Sequence, residues 1–249
     1  MLVLDESKIR VVLLDIEGTT TPIDFVYKTL FPYARGKLRS FLAEHSRDSE
    51  IQSLVQDLYA QHQVDERLGL EPPAWVNEPE DERLCSAVGY GQCLMAKDSK
   101  STALKSLQGR IWQDGFENGE LRGQVYPDVP VAFERWRRQG RDICIYSSGS
   151  VLAQQLLFRT VISGDLTSQI AGFFDTRVGA KSDGESYTKI AASLGHAVRE
   201  FLFLSDAAKE IEAAQIAGMH ATLCDRQARA SSPLAGNGTI HSFDEIFPD

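Results

Sequence analysis

The pattern of apolar and polar residues divides the chain into three parts. Near the N-terminus, the branched apolar run Val11–Leu14 is followed at once by the segment Asp15–Thr20, which reads DIEGTT. Such a run predicts a buried strand that ends in a polar loop. From about residue 25 to about residue 124, apolar residues recur at helical spacing without strand-like alternation. This middle part is therefore predicted to be helical throughout.

From about residue 125 onward, short apolar runs alternate with helix-like segments. The predicted strands are 143–146, 173–175, 201–204 and a final strand at 220–223, and the predicted helices are 131–139, 152–158, 185–194 and 207–217. Strands that alternate with helices predict an α/β domain with a parallel sheet and right-handed crossovers. We therefore expect residues 1–24 and 125–249 to form an α/β core, and residues 25–124 to form an inserted helical cap that closes over the strand ends.

The composition of the chain restricts the kinds of molecule that it can bind and the compartment in which it works. Lys and Arg number 26 against 35 Asp and Glu, which gives a formal net charge of −9 and argues against a general nucleic-acid binder. The four cysteines form no C-x-x-C pair, which favours free thiols in a reducing cytoplasm. The N-terminus lacks the apolar region of a signal peptide, and no apolar stretch is long enough for a membrane span. We expect a cytoplasmic protein with an anionic small-molecule substrate.

Polar groups of complementary kinds follow the predicted strands. Asp15 and Glu17 follow the first strand, Asp206 follows another, and ligands in open α/β sheets bind beyond these strand ends. Two carboxylates from separate strands can bind Mg²⁺ through oxygen. In this interpretation Asp15 attacks phosphorus, Glu17 acts as general acid and then base, and Asp206 binds the metal. The backbone carbonyl of Glu17 is a further possible metal ligand.

Three more residues complete a phosphoryl-transfer site. Ser147 and Ser148 follow the strand at 143–146, and Lys181 lies in the loop before the helix at 185–194. Hydroxyls, an ammonium and the N-terminus of the helix after Ser150 can hold a phosphoryl group. Glu210, one helical turn after Asp206, could support the metal indirectly.

Each of these residues also has a purely structural explanation. The two acids after the first strand could form a turn, Lys181 could be a solvated surface lysine, and Ser147 to Ser150 or Asp206 could cap a helix. The joint order of these groups at one edge of the sheet favours catalysis.

Five motifs of the chain closely resemble one family of the haloacid dehalogenase superfamily of aspartyl phosphotransferases. That family is the enolase-phosphatases of methionine salvage, also called acireductone synthases. The motifs are DIEGTT at Asp15–Thr20, YPDV at Tyr126–Val129, IYSSGS at Ile145–Ser150, FDT at Phe174–Thr176 and FLSD at Phe203–Asp206. Most phosphatases of the superfamily carry Asp where this chain has Glu17, and this departure matches the enolase-phosphatases.

The resemblance implies a Rossmann-like parallel sheet of the haloacid dehalogenase type with a helical cap. It also implies a monomer that uses Mg²⁺ to enolise and then dephosphorylate 2,3-diketo-5-methylthiopentyl-1-phosphate. By position, Asp15, Glu17 and Asp206 match the family's catalytic and metal-binding residues. The family's substrate-binding residues are matched by Ser147, Ser148 and Lys181.

Several alternatives stay open at this point. Phe25 and Tyr27 could contact the methylthio end of such a substrate, although core packing is the more common role of aromatic residues there. The base for enolisation is not identified. The chain could instead be a sugar-phosphate or phosphoglycolate phosphatase, a dehalogenase, or a phosphate-binding protein without catalysis. Metal binding at Asp206 argues against a dehalogenase, whose chemistry does not need Mg²⁺.

Overall fold

A parallel sheet of six strands forms the centre of the α/β part of the protein. The computed structural model describes residues 6–97, 99, 101–227 and 238–249. The strands lie in the order β3-β2-β1-β4-β5-β6. Their bounds are β1 Val11–Leu14, β2 Asp142–Tyr146, β3 Ile170–Phe174, β4 Phe201–Ser205, β5 His220–Cys224 and β6 Thr239–Ile240. The predicted α/β class with a parallel sheet is confirmed.

The register of the central strands explains why polar groups converge at one edge. Leu14 of β1 lies opposite Ile145 of β2 and opposite Leu204 of β4. Every residue of β1 and β4 is buried, as expected for central strands that helices cover on both faces. The segments that follow these three strands therefore begin at the same level of the sheet.

Two strand predictions need correction. The run at 220–223 is not the final strand, because Thr239–Ile240 adds the edge strand β6 beside β5. Two residues are too few to give a periodic signal, so the pattern could not predict β6. Strand β3 begins at Ile170 rather than at residue 173, and it ends before Asp175. Ala171 and Gly172 are poor strand formers, which concealed its first half.

The chain divides into two compact units. One consists of Met1–Val26 and Arg122–Asp249, and the other consists of Tyr27–Leu121. The helices are α1 Ile23–Phe25, α2 Phe31–Glu44, α3 Ser49–Arg67, α4 Glu80–Ala96, α5 Thr102–Glu117, α6 Asp128–Arg138, α7 Val151–Arg159, α8 Gly184–Leu194 and α9 Ala208–Ile216. A π-helical turn, Val26–Leu30, leads from α1 into α2.

The unit Tyr27–Leu121 has its own apolar core. Helices α2 to α5 bury Leu38, Leu42, Leu58 and Leu107 completely. Asp48 begins α3 by accepting a hydrogen bond from the amide of Glu50 at 2.8 Å, which satisfies one of the unpaired donors of that helix end. A separate core and capped helices are what an independently packed insertion requires.

In the α/β unit, the helices pack on the sheet through aromatic and aliphatic side chains. Tyr146, Tyr187 and Phe203 are fully buried, and Tyr187 stands edge-on to the other two rings. Among the described residues, no helix combines the length and the apolar character that crossing a membrane requires.

Candidate active site

The loop after β1 is fixed by its own backbone. The amide of Asp15 donates to the carbonyl of Leu204 at 3.0 Å, which extends the pairing of β1 with β4 by one residue. The carbonyl of Ile16 accepts from the amides of Thr19, Thr20 and Thr21 at 3.2, 3.0 and 2.9 Å. These bonds hold the buried Asp15 at the carboxyl edge of the sheet.

Gly18 brings this loop against the end of β4. Its φ is +73°, a left-handed conformation that favours glycine. A Cβ atom built there would lie 2.1 Å from Oδ2 of Asp206, so no larger residue fits while Asp206 keeps its position. The amide of Asp206 also donates to Oγ1 of Thr19 at 3.0 Å. The loops that carry Asp15 and Asp206 are thus joined directly.

Lys181 lies between two carboxylates. Its Nζ atom contacts Oδ1 of Asp15 and lies 2.7 Å from Oε2 of Glu210, and its side chain is only 10% exposed. Burial alone lowers the pKa of Lys181, but the charges of Asp15 and Glu210 outweigh this, so the pKa is raised. Lys181 is therefore a charged group of the site and not a solvated surface lysine.

Glu17 titrates near neutral pH. Burial, followed by the charge of Asp15, raises the pKa of Glu17 to about 7, although Lys181 and a hydrogen bond from Ser147 lower it. Oγ of Ser147 donates to Oε2 of Glu17 at 3.3 Å. A carboxyl group with a pKa near 7 can both donate and accept a proton at physiological pH.

The two predicted serines occupy different environments. Ser147 is buried, and its amide donates to the carbonyl of Phe174 at 3.1 Å. Ser148 has an exposed side chain. Ser150 caps α7 by accepting from the amide of Ala153 at 3.2 Å, so the capping explanation holds for Ser150.

Asp206 does not cap the helix that follows it, because α9 begins after Ala207 without a side-chain cap. Burial, followed by the charges of Asp15 and Glu210, raises the pKa of Asp206 to about 6. At this carboxyl group the negative charges of Asp15 and Glu210 together outweigh the positive charge of Lys181.

The donor set fits a magnesium ion. The carboxyl groups of Asp15, Glu17, Asp206 and Glu210 all interact with the ammonium of Lys181. Among the described residues, no group of three or more His, Cys, Asp and Glu side chains is arranged to hold a metal ion. Mg²⁺ usually takes only one or two protein carboxylates and completes its shell with water and substrate oxygens. Asp15 and Asp206 offer two carboxylates of that chemical kind.

Sequence patterns missed several residues that hold the site together. Ser205, fully buried at the end of β4, donates to Oε2 of Glu210 at 2.8 Å. Arg226 donates to the carbonyl of Thr19 at 2.9 Å and lies 2.5 Å from Oδ2 of Asp128. Arg226, a single arginine after β5, belongs to no recognisable sequence motif. Asp128 lies in the YPDV motif, which the sequence does show.

The two aromatic residues near the first loop differ in exposure. Phe25 is buried, in agreement with core packing, whereas the side chain of Tyr27 is 58% exposed.

Comparisons with known proteins show which family the chain resembles. A family model described as haloacid dehalogenase-like hydrolase matches residues 9–218. The chain is 48% identical to an enolase-phosphatase E1 of Synechococcus elongatus over 96% of this chain and 98% of that protein. It is 44% identical to an enolase-phosphatase E1 of Drosophila yakuba over 91% of this chain and 87% of that protein.

Among solved structures, the UTR4 protein of Saccharomyces cerevisiae is similar to the chain over nearly its whole length. The two are 33% identical, the similarity covers 93% of this chain and 96% of that one, and the TM-score is 0.71.

Proposed function

We propose that this chain, which belongs to the haloacid dehalogenase-like hydrolases and within them to the enolase-phosphatases, acts on 2,3-diketo-5-methylthiopentyl-1-phosphate. The products are the acireductone 1,2-dihydroxy-3-keto-5-methylthiopentene and phosphate. The reaction begins with enolisation and ends with dephosphorylation, and it serves methionine salvage from methylthioadenosine.

The observation that supports this proposal most strongly is the state of Glu17. It is half-buried close to Asp15, and its pKa is raised to about 7. Dephosphorylation needs a group that gives a proton to the leaving oxygen and then takes one from water. A group that titrates near 7 serves both directions better than an ordinary carboxylate, which stays ionised. The similarity to proteins named enolase-phosphatase E1 points to the same chemistry.

In the proposed dephosphorylation, Asp15 is the nucleophile and Glu17 transfers the protons. An oxygen of Asp15 attacks phosphorus, the bond from phosphorus to the leaving oxygen breaks, and Glu17 gives its proton to that oxygen. Glu17 then takes a proton from water, whose oxygen attacks the aspartyl-phosphate and releases phosphate. Lys181, in contact with Asp15, orients the nucleophile, and its charge favours the anionic substrate. Ser147 and Ser148 bind the phosphoryl group.

We further propose that the resident cofactor is Mg²⁺, held by Asp15, Asp206 and the carbonyl of Glu17. When bound, the ion reduces the repulsion between the anionic nucleophile and the anionic phosphate. The carboxylates of Asp15 and Glu210 place more negative charge around Asp206 than Lys181 offsets, and this excess supports the assignment.

The length of Glu17 has a proposed role of its own. Compared with the Asp found at this position in most phosphatases of the superfamily, Glu17 reaches one methylene further, which suits proton transfer in two successive steps. We expect Glu17→Asp to impair at least one of the two steps. Wild-type rates of both enolisation and hydrolysis in that variant would refute this role.

We propose that the helical unit, inserted in the chain directly after the Asp15 loop, acts as a cap that excludes water. We also propose that the enzyme is a monomer that works in the cytoplasm. The free thiols of its four cysteines support a reducing compartment.

The proposed reaction is tested by following two signals in one sample. The protein is incubated with the diketone phosphate and Mg²⁺, and the enol absorbance and released phosphate are recorded together. We expect the absorbance to rise before phosphate appears. Phosphate release without an enol signal would indicate a plain phosphatase and would refute the enolase half of the proposal.

A pair of variants sharpens this experiment. Glu17→Gln removes the proton carrier, and we expect it to lower turnover by roughly 10²-fold to 10⁴-fold. Glu212→Gln, an exposed position on α9, makes the same chemical change away from the site and is expected to leave turnover intact. Equal turnover in the two variants would contradict the role of Glu17.

A further inference from the structure

The loop that carries Lys181 is held by three side-chain hydroxyls in a row. Tyr146 Oη donates to the carbonyl of Gly179 at 2.9 Å, and Ser186 Oγ donates to that of Ala180 at 2.8 Å. Tyr187 Oη donates to the carbonyl of Lys181 itself at 2.7 Å. Three consecutive backbone carbonyls thus each receive a hydroxyl donor.

The three donors, which we call the loop anchors, are rigid. Tyr146, Ser186 and Tyr187 are no more than 1% exposed. The rings of Tyr146 and Tyr187 pack edge-to-face with centroids 5.6 Å apart, and Tyr187 packs on Phe203 of β4 at 5.1 Å. Their hydroxyls therefore have positions that are set by the core of the α/β unit.

The loop itself lacks comparable burial. Ala180 and Ser182, the two neighbours of Lys181, are exposed, and loops on a surface are ordinarily more mobile than the elements they join. Lys181, in contrast, must reach Asp15 and Glu210 at once. The anchors connect this exposed segment to β2 and α8, and Tyr146 directly precedes Ser147 in the chain.

We propose that Tyr146, Ser186 and Tyr187 are positioning residues, which fix the backbone of the Lys181 loop so that its ammonium meets the nucleophile Asp15 and the transferred phosphoryl group. The anchors do not touch substrate, and they act through Lys181. The inference rests on the proposed function of Lys181. Gly179 takes part in the same arrangement, because a Cβ atom there would lie 2.2 Å from Oγ of Ser186.

The test uses Tyr187→Phe and Tyr146→Phe, which remove one hydroxyl each and keep the aromatic packing. Ser186→Ala serves if a tyrosine variant does not fold. We expect each variant to lower kcat roughly 10-fold, because displacement of a catalytic group by about 1 Å can cost up to 10²-fold. We expect KM and the Mg²⁺ concentration for half-maximal activity to stay within about 2-fold of wild type, because the loss falls on the transition state.

Matched controls separate positioning from general stability. Tyr90→Phe removes a buried tyrosine hydroxyl that donates to Asp65 at 2.7 Å in the helical unit, and Ser193→Ala removes a hydroxyl that donates to Ile190 at 2.7 Å on α8. Both are expected to keep wild-type kcat. A lower melting temperature with unchanged kcat in the anchor variants would overturn the proposal, as would equal losses of kcat in the controls.

A second readout does not depend on activity. Hydrogen exchange of the peptide that spans residues 176–183 should be faster in Tyr187→Phe than in wild type, and unchanged in Tyr90→Phe. Unchanged exchange in Tyr187→Phe would also overturn the proposal. Rates are measured on the diketone phosphate and on p-nitrophenyl phosphate. If the wild-type enzyme hydrolysed p-nitrophenyl phosphate but not the diketone phosphate, the proposed function would be refuted. The loop anchors could still be tested with p-nitrophenyl phosphate.

Discussion

Replacement of Gly18 by alanine should destabilise the folded protein in two distinct ways. The first is conformational, because φ at this position is +73° and a Cβ atom in the left-handed region costs about 1 kcal/mol. The second is steric, because that Cβ atom would lie 2.1 Å from Oδ2 of Asp206. Contacts between carbon and oxygen are ordinarily longer than about 3 Å, so the carboxylate of Asp206 must move by roughly 1 Å.

The expected result of Gly18→Ala is a small loss of stability and a large loss of activity. The free energy of unfolding should fall by about 1–2 kcal/mol, measured by urea denaturation. Phosphate release should fall roughly 10²-fold, because a displacement of about 1 Å at a catalytic group can cost that much. The Mg²⁺ concentration for half-maximal activity should rise, since Asp206 is a proposed ligand.

Gly195 provides the control for this prediction. Its φ is +70°, yet a Cβ atom there meets nothing within 4 Å. Gly195→Ala therefore carries the conformational cost without the steric one, and it should lose about 1 kcal/mol of stability and keep full activity. Wild-type activity and Mg²⁺ dependence in Gly18→Ala would refute the reasoning, because they would mean that Asp206 moves without consequence.

Further predictions concern ionisation. The hydrogen bond from Ser147 lowers the pKa of Glu17, and kcat/KM should decline as Glu17 is deprotonated above about pH 7. In Ser147→Ala this decline should move to higher pH, whereas Ser148→Ala should leave it in place. An unmoved pH profile in Ser147→Ala would contradict the contact between Ser147 and Glu17. Burial raises the pKa of Asp128, but the interaction with Arg226 outweighs burial, so the pKa in the folded protein is lowered. Asp128 therefore stabilises the fold at pH values above its pKa in the unfolded chain. This stabilisation is lost as the pH falls through the pKa of Asp128 in the folded protein. Asp128→Asn should therefore lower the free energy of unfolding at neutral pH by about 3 kcal/mol, with a difference that shrinks below about pH 4; a difference that did not depend on pH would contradict the ion pair.

The sequence predicts the strands of the central sheet because their residues are buried on both faces. Continuous apolar runs such as Val11–Leu14 and Phe201–Leu204 are specific to such strands. Edge strands lack this signal, which is why the start of β3 and the whole of β6 were missed. Alternation of strands and helices was sufficient to predict a parallel sheet, but it carried no information on the order of the strands.

The predicted site residues were recognisable because each follows a strand or lies in a loop at the same edge. The residues that fix them were not recognisable in this way. Tyr146 and Tyr187 have the pattern of core aromatics, and only their hydroxyl contacts relate them to Lys181. Ser205 and Arg226 also act through contacts between segments that are distant in sequence, which no local pattern encodes.

The central claim, that Asp15 is the nucleophile of a phosphoryl transfer, is tested most directly by trapping the covalent intermediate. Substrate labelled in its phosphate is mixed with excess enzyme and Mg²⁺, the reaction is stopped with acid within milliseconds, and the labelled peptide is sequenced. The account predicts a hydroxylamine-sensitive label on Asp15 that forms and decays within one turnover and is absent from Asp15→Asn. Full turnover with no label on Asp15, or turnover retained in Asp15→Asn, would contradict it.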